Sequence, residues 1–263
     1  MKIIFKSALL CVLFSSSALL AQEDTLTYPT EKDLGTFLSL LGRINSQSLL
    51  EGAGSHGTIG FALGGGVSLI NMPETSAFHE SELYLENQDV DKTALVIPKA
   101  YLLKGAFSPV DLGITFGSIE GARITQAVGT AQWTIYEDFA MPALALRFNY
   151  ARLFGLASGE FTTVSSELVL SCGLFKYFNT YGGGTVSRHM ASLDLEPFRE
   201  DGRFQYFLSE NEDRSELKKD WLETSYFVGL QLHLFSPFYF AAAEMQVSED
   251  NLKSYSAKIS IGM

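Results

Sequence analysis

The sequence predicts a closed antiparallel β-barrel of about ten strands that spans a membrane, preceded by a short amphipathic helix. From residue 56 onward, apolar residues alternate with small or polar residues at a period of two. Most alternating segments are longer than globular strands, and they match the roughly 9–11 residues that a tilted strand needs to cross a bilayer. The connections also alternate, with compact aromatic turns at one end of the sheet and polar connections at the other.

Composition and charge exclude several classes of protein. The chain has 263 residues, is 46% hydrophobic and carries a formal net charge of −11, which argues against nucleic acid as a partner. No apolar run beyond the N-terminus reaches about 18 residues, so the pattern is not that of a helical membrane protein. Of the two cysteines, Cys11 and Cys172, only the second lies outside the N-terminal apolar segment. We therefore expect no disulfide framework, no thiolate metal cluster and no cofactor.

Residues 1–21 are predicted to be a secretory signal peptide. Lys2 and Lys6 form a positive start, the apolar stretch 7–20 follows, and Ala21 is a plausible cleavage position. The alternative, a retained membrane anchor, is disfavoured because the apolar stretch is short.

The N-terminal segment 22–55 contains a predicted helix over residues 30–50. Thr30 can cap it, and its apolar residues follow helical spacing: Leu34, Phe37, Leu38, Leu41 and Ile44. Three surfaces are in reach of this apolar stripe: the lumen wall, the membrane leaflet at the barrel mouth, and a partner protein. Because the lumen is predicted to be small and polar, we expect the helix to pack at the mouth beside the aromatic turns.

Residues 56–263 form the predicted barrel. Ten segments show the alternation: 56–71, 94–107, 110–118, 123–136, 142–154, 160–176, 179–191, 221–235, 238–248 and 253–263. Segment 94–107 fits least well, because Lys99 and Lys104 fall on opposite faces and Pro98 lacks a backbone donor. The alternative fold is a secreted soluble β-sandwich or small barrel. It is disfavoured because the polar faces are mostly Gly, Ala, Ser and Thr, whereas a solvent face should be rich in Lys and Glu.

Aromatic residues crowd the short turns, as in "FSPFY" at 235–239. Turns of soluble proteins are usually polar, so these rings indicate a membrane surface. We predict that nine of them ring the periplasmic interface: Phe107, Tyr136, Phe139, Phe175, Tyr177, Phe178, Phe235, Phe238 and Tyr239.

Polar side chains on the opposite faces are predicted to point into the lumen. They are Asp111, Gln126, Gln132, Arg147, Glu167, Glu223, Gln231, Glu244, Gln246 and Lys258. Some must form pairs, because an unpaired charge in a narrow barrel is costly. They either line a small channel or form a packed polar core that only stabilises the barrel.

Three stretches carry a resemblance to a known class: "AYLLKGAFSPVDLGITFG" (100–117), "TAQWTIYEDFAMPALALRFNYARLFGL" (130–156) and "ELVLSCGLFKYFNTYGG" (167–183). With them the chain resembles bacterial outer-membrane β-barrel proteins, in particular small uncharacterised barrels of predatory and related Gram-negative bacteria. The resemblance implies location in the cell outer membrane, contact with outer-membrane lipid and assembly by the barrel-insertion machinery. It implies no defined activity.

The sequence offers little evidence of catalysis or metal binding. His79 and His189, with Glu80 or Glu82, are candidate metal ligands or rim residues of a hydrolase, but no spacing assembles a nucleophile, a base and an orienting group. His56 and His233 are placed at the periplasmic end. We therefore expect no enzyme, with a rim-located hydrolase as the alternative.

The long acidic connections at 72–93 and 192–220 are the remaining feature. They are either solvated loops, or divalent cations bridge them to the anionic lipid surface. Two functional hypotheses remain open. One is a narrow, cation-preferring pore or transport protein for small hydrophilic solutes. The other is a plugged structural or adhesive barrel that acts through its extracellular loops.

Overall fold

A computed structural model describes residues 31–46, 49–71, 94–119, 123–138, 141–156, 159–175, 177–194, 216–234 and 239–262. The predicted signal peptide and most of the two long acidic connections, with His79, lie outside these residues. No helix in the described ranges is long and apolar enough to cross a membrane.

One helix and ten strands make up the fold. The helix α1 spans Glu31–Asn45. The strands are β1 Phe61–Asn71, β2 Ala94–Phe107, β3 Val110–Ser118, β4 Thr125–Asp138, β5 Met141–Phe154, β6 Gly159–Phe175, β7 Phe178–Asp194, β8 Glu216–Leu234, β9 Tyr239–Ser248 and β10 Lys253–Gly262.

The ten strands form a closed antiparallel barrel, which confirms the predicted fold class. Each strand pairs with its neighbours in sequence, and β1 pairs with β10 from Ala62↔Gly262 to Ile70↔Ser254. A closed barrel leaves no open sheet edge within the bilayer, where an unpaired backbone group costs several kcal/mol. This is why strands with little apolar content on one face can still cross a membrane.

The two faces of the barrel wall alternate residue by residue, as β8 shows. Tyr226, Val228 and Leu230 are exposed on the exterior, whereas Gly229 and Gln231 are buried in the interior. The same alternation places large exposed apolar side chains on the exterior of the other strands. The exterior is therefore apolar, as in barrels that span a bilayer, and the interior is a lumen that holds both polar and apolar side chains.

We expect Val228→Arg to destabilise the barrel by about 2–4 kcal/mol, because it places a charge at mid-height on the lipid face. Gln231→Arg should cost clearly less, because the Gln231 amide nitrogen lies 3.4 Å from a Glu51 carboxylate oxygen that can pair with the new guanidinium. Urea titrations of refolding into lipid vesicles measure both values. The reverse order would mean that the two faces of β8 are assigned backwards.

Some strand boundaries differ from the prediction. β1 begins at Phe61 rather than at residue 56, because residues 56–60 leave the lumen in a turn. β7 continues to Asp194 and β8 begins at Glu216, so the predicted connection 192–220 is shorter at both ends. The two strands pair up to Asp194↔Glu216. Charged residues there had suggested a loop.

The structure describes five of the nine aromatic side chains that the sequence assigns to the short-turn end. Phe107, Tyr136, Tyr177 and Tyr239 are exposed at this end, and Phe178 is half-buried. The structure does not describe the other four side chains, which are those of Phe139, Phe175, Phe235 and Phe238. That these rings contact a membrane interface stays a prediction.

The prediction that α1 packs at the barrel mouth is wrong, because the helix lies inside the lumen. Its apolar side chains are 0–5% exposed: Leu34, Phe37, Leu38, Leu40, Leu41 and Ile44. They pack against inward-facing apolar residues at the end with the long connections, among them Ile70, Leu95, Ile97, Leu153 and Phe161. The lumen is polar in its middle but apolar at this end, and that apolar half accepts the helix.

Candidate functional site

The N-terminal segment crosses the whole lumen. At the end with the long connections, the Ser39 hydroxyl donates to Asp250 at 3.0 Å in the β9–β10 turn. At the opposite end, the Thr58 carbonyl accepts a hydrogen bond from Lys104 Nζ at 2.8 Å. We call residues 34–46 and 49–58 the plug. Its helical part fills the end with the long connections, and its extended part fills the middle and the end with the short turns.

Hydrogen bonds between the helix and the wall fix the last turn of α1. Asn45 Nδ2 donates to the Ala151 carbonyl at 3.1 Å and to Thr163 Oγ1 at 2.9 Å. The Gln126 amide donates to the Ile44 carbonyl at 2.9 Å. The last carbonyls of a helix have no intrahelical donor, so Gln126 supplies a bond that the helix end would otherwise lack. The helix is thus held at a defined depth.

A buried histidine lies against the same turn. His189 Nδ1 is 2.9 Å from Thr163 Oγ1, and His189 Nε2 is 3.2 Å from Glu223 Oε2. Gly42 allows the close approach of the helix, because a Cβ there would lie 3.2 Å from the imidazole Cε1. The order hydroxyl, imidazole and carboxylate is that of a hydrolase triad, but His189 is 0% exposed and Thr163 1%. These three side chains hold the last turn of the plug helix, and the Thr163 hydroxyl is not accessible to solvent.

Arg147 is the centre of the polar contacts at mid-height. Its guanidinium donates to Glu167 Oε2 at 3.0 Å, to Gln132 Oε1 at 2.7 Å and to the Glu51 carbonyl at 3.0 Å. Arg147 and Glu167 are both fully buried. One cation therefore joins two strands of the wall to the plug backbone, and it leaves little of its donor capacity unused.

A second layer of side chains holds Glu167. Asn149 Nδ2 donates to Glu167 Oε1 at 2.7 Å and to Ser165 Oγ at 3.2 Å. Thr130 Oγ1 donates to Asn149 Oδ1 at 2.7 Å. The buried carboxylate therefore accepts a bond on each oxygen, which is the condition under which a buried ion pair is tolerated.

Backbone groups of the extended part of the plug are bonded to the wall in sequence. Thr134 Oγ1 donates to the Ala53 carbonyl at 2.9 Å, and the Ala53 amide donates to Ser171 Oγ at 3.0 Å. The Gln132 amide donates to the Gly54 carbonyl at 3.1 Å. These bonds replace the ladder partners that an extended segment inside a barrel lacks.

The opposite wall contributes a second ion pair. Lys258 Nζ pairs with the Glu51 carboxylate and donates to the Leu49 carbonyl at 3.2 Å. It also lies 5.3 Å from the centre of the Tyr101 ring, within the range of a cation–π contact. Glu51 thus connects the plug to both walls, through its carbonyl to Arg147 and through its carboxylate to Lys258.

The plug also contacts the wall at the end with the short turns, where it leads into β1. Asp111 accepts the His56 amide at 3.0 Å and the Ser55 hydroxyl at 3.3 Å. Burial opposes charge on the His56 ring, but the hydrogen bond to Asp111 and the nearby Glu51 and Asp111 charges together raise the pKa of His56. A Cβ on Gly105 would lie 1.5 Å from the Gly57 carbonyl oxygen, so the crossing requires glycine there.

All ten polar side chains assigned to the lumen are buried inside the barrel. Most of them contact residues of the plug. Arg147 has the expected kind of partner in Glu167, whereas Lys258 pairs with Glu51 from the plug rather than with a wall carboxylate. Gln246 donates to Ser225 within the wall at 2.9 Å.

Sequence reasoning missed Glu51 and Asn45, because no periodicity marks inward-pointing residues in the plug. It placed His189 near the outer rim, and the residue does lie toward the long-connection end of β7, but its ring is fully buried against α1 rather than open to solvent. Among the described residues, no group of three or more His, Cys, Asp or Glu side chains is placed to hold a metal ion.

The closed barrel, its apolar exterior and its buried polar interior define the class of fold, which is that of an outer-membrane β-barrel. No protein-family model and no curated protein matches the chain.

Similar solved structures include neisserial surface protein A, with 10% identity and a TM-score of 0.31 over 77% of this chain and 96% of that one. Ail, the attachment invasion locus protein of Yersinia pestis, gives 10% identity and a TM-score of 0.30, covering 77% and 95%. The KdgM porin, solved with disordered oligogalacturonate, gives 5% and 0.35, covering 77% and 98%. Likenesses at this level carry no argument about the function of this chain.

Proposed function

We propose that this protein is a closed outer-membrane barrel whose lumen is plugged by its own N-terminal segment and whose surface at the long-connection end performs its function, as a structural or adhesive protein. One observation carries the proposal: the plug is bonded to the wall at every level, from Ser39 through Arg147 to Asp111. The competing hypothesis of a narrow pore requires a lumen that solutes can enter, and the plug occupies that space.

Location in the outer membrane is part of the proposal. The exterior supports it, because exposed apolar side chains surround the barrel between the aromatic residues at its two ends. Phe116, Tyr150 and Phe154 are exposed at the long-connection end, opposite Phe107 and Tyr136 at the short turns. Two aromatic levels with an apolar band between them are typical of barrels in a bilayer.

Planar-bilayer recording of the purified protein tests the proposal. The chain should be extracted from the outer-membrane fraction by detergent and should migrate faster on a gel before boiling than after. Inserted into a bilayer, it should give no conductance steps, whereas an open general porin prepared in the same way should give them. Reproducible steps from the wild-type protein would support the pore hypothesis instead. Recovery as a soluble periplasmic monomer would contradict the location.

A further inference from the structure

The barrel wall has an uneven height at the long-connection end. β6, β7 and β8 have 17, 17 and 19 residues, whereas β9 and β10 have 10 each. The extra length lies where β7 and β8 continue past the end of β9. We call residues 187–194 of β7 and 216–224 of β8 the outer wall.

Contacts on both faces hold the outer wall in place. On its inner face, Leu217 and Trp221 pack against the apolar cluster around α1. On its outer face, Arg188 Nε donates to Asp220 at 3.0 Å, and this hydrogen bond lowers the pKa of the Asp220 carboxyl. Ser192 donates to the Glu216 carboxylate in the next row. The outer wall is therefore an ordered two-stranded extension.

One edge of this extension has no strand beside it among the described residues. β8 pairs with β7 from Glu216 onward but with β9 only from Ser225. The Thr224 carbonyl accepts the Glu249 amide at 3.0 Å, so the backbone groups of Thr224 point toward the β9 side. In an antiparallel ladder, alternate residues direct both their N–H and their C=O to the same side. By that rule Glu216, Lys218, Asp220 and Leu222 present theirs to the unpaired edge.

We propose that the free edge of β8, residues 216–224, is a docking site at which an extended acidic segment of a partner protein adds as a further β-strand. The proposal rests on the proposed function, because it names the kind of partner for the surface at the long-connection end. Strand addition obtains affinity from the unpaired backbone groups of such an edge and specificity from alternate side chains.

The side chains along the edge indicate the chemistry of the partner. Lys218 and Lys219 are exposed there together with Glu216 and Asp220. Within the described contacts Glu216 pairs with Lys218 and Asp220 with Arg188, so Lys219 is the charge on this stretch without an opposite charge beside it. Leu222 is 70% exposed on the exterior face. A segment with a carboxylate near Lys219 and an apolar residue near Leu222 fits this pattern. Lysines on an edge strand discourage pairing with like strands, which makes a second copy of this chain a poor occupant.

A peptide-binding experiment with proline substitution tests the docking site. The probe is a synthetic peptide of about ten residues that alternates valine with threonine and carries glutamates at its centre. Leu222→Pro removes an N–H that points away from β7, so the ladder with β7 remains while the incoming strand loses a partner. Fluorescence anisotropy should show binding at least about tenfold weaker for Leu222→Pro than for the wild type. Leu222→Ala keeps the N–H and loses only the apolar side chain, so it should weaken binding clearly less.

Amide hydrogen exchange supplies an independent measurement. In the protein alone, the amides of Lys218, Asp220 and Leu222 should exchange fast, and those of Lys219 and Trp221 slowly, because only the second set bonds to β7. The peptide should protect the first set. Slow exchange of the first set without peptide would show that the chain covers its own edge, and this would overturn the proposal. So would an absence of peptide binding, or binding that Leu222→Pro leaves unchanged. If the wild-type protein gives no conductance in bilayers, any of these results refutes only the docking site. Conductance of the wild-type protein would instead refute the proposed function.

Discussion

Replacing Arg147 with methionine is expected to destabilise the folded barrel by about 3–5 kcal/mol. The guanidinium is 0% exposed and bonds to Glu167, Gln132 and the Glu51 carbonyl at once. Without it, Glu167 remains as a buried carboxylate with no cation beside it, and the plug loses its central bond. Most of the cost therefore comes from the charge left behind.

Two further variants separate this effect from a general loss of charge. Arg152→Met breaks the pair with Glu160, whose side chains are 37% and 68% exposed, and it should cost about 0–1 kcal/mol. Combining Arg147→Met with Glu167→Met should recover part of the loss, because replacing both partners of a buried pair is often tolerated. Urea unfolding in lipid vesicles, followed by tryptophan fluorescence, measures all three. Equal costs for Arg147→Met and Arg152→Met would contradict a central role for Arg147.

The barrel itself could be predicted from the sequence, because the period of two carries both the strand and its face. In β8, Val228 and Leu230 alternate with Gly229 and Gln231, and a slip of one residue would exchange the lipid and lumen faces. The same alternation predicts which polar side chains of the wall point into the barrel and are buried. Thus the direction of each side chain could be predicted, whereas its partner could not.

The plug could not be placed from the sequence, because its position depends on the register of all ten strands. Ile70 looks like an isolated apolar residue on a face of small and polar residues, and Leu95 and Ile97 lie on another strand. Only the closed barrel brings them together around α1. Glu51 and Lys258 are 207 residues apart, and no pattern links them. The extension of β8 was hidden for a different reason, since Lys218, Lys219 and Asp220 are typical of a loop until β7 is seen beside them.

Leu41→Asp is expected to release α1 from the long-connection half of the lumen. Leu41 is fully buried in the apolar cluster, and an ionised carboxylate there would have no partner among the neighbouring apolar side chains. The loss of packing and the desolvation of the charge together exceed about 4 kcal/mol. The ten-stranded ladder does not include the helix, so we expect the variant to remain a heat-modifiable barrel. Residues 49–58 keep their own bonds to Arg147, Lys258 and Asp111, so the short-turn half should stay filled. Amide hydrogen exchange of residues 37–45 should be fast in the variant and slow in the wild type, and the urea midpoint of unfolding should fall.

Gly35→Asp is the matched control, because it adds the same charge to the same helix at an open position. A Cβ on Gly35 would meet nothing within 4 Å. Its carboxylate would also lie near the N-terminus of α1, where the helix dipole does not oppose a negative charge. Gly35→Asp should therefore keep the slow amide exchange of α1 and unfold at the wild-type urea concentration. Slow exchange of α1 together with wild-type stability in Leu41→Asp would contradict the burial of α1. Failure of Leu41→Asp to form a barrel at all would show that the strands close only around the helix, and the plug would then be part of the folding core rather than a separable element.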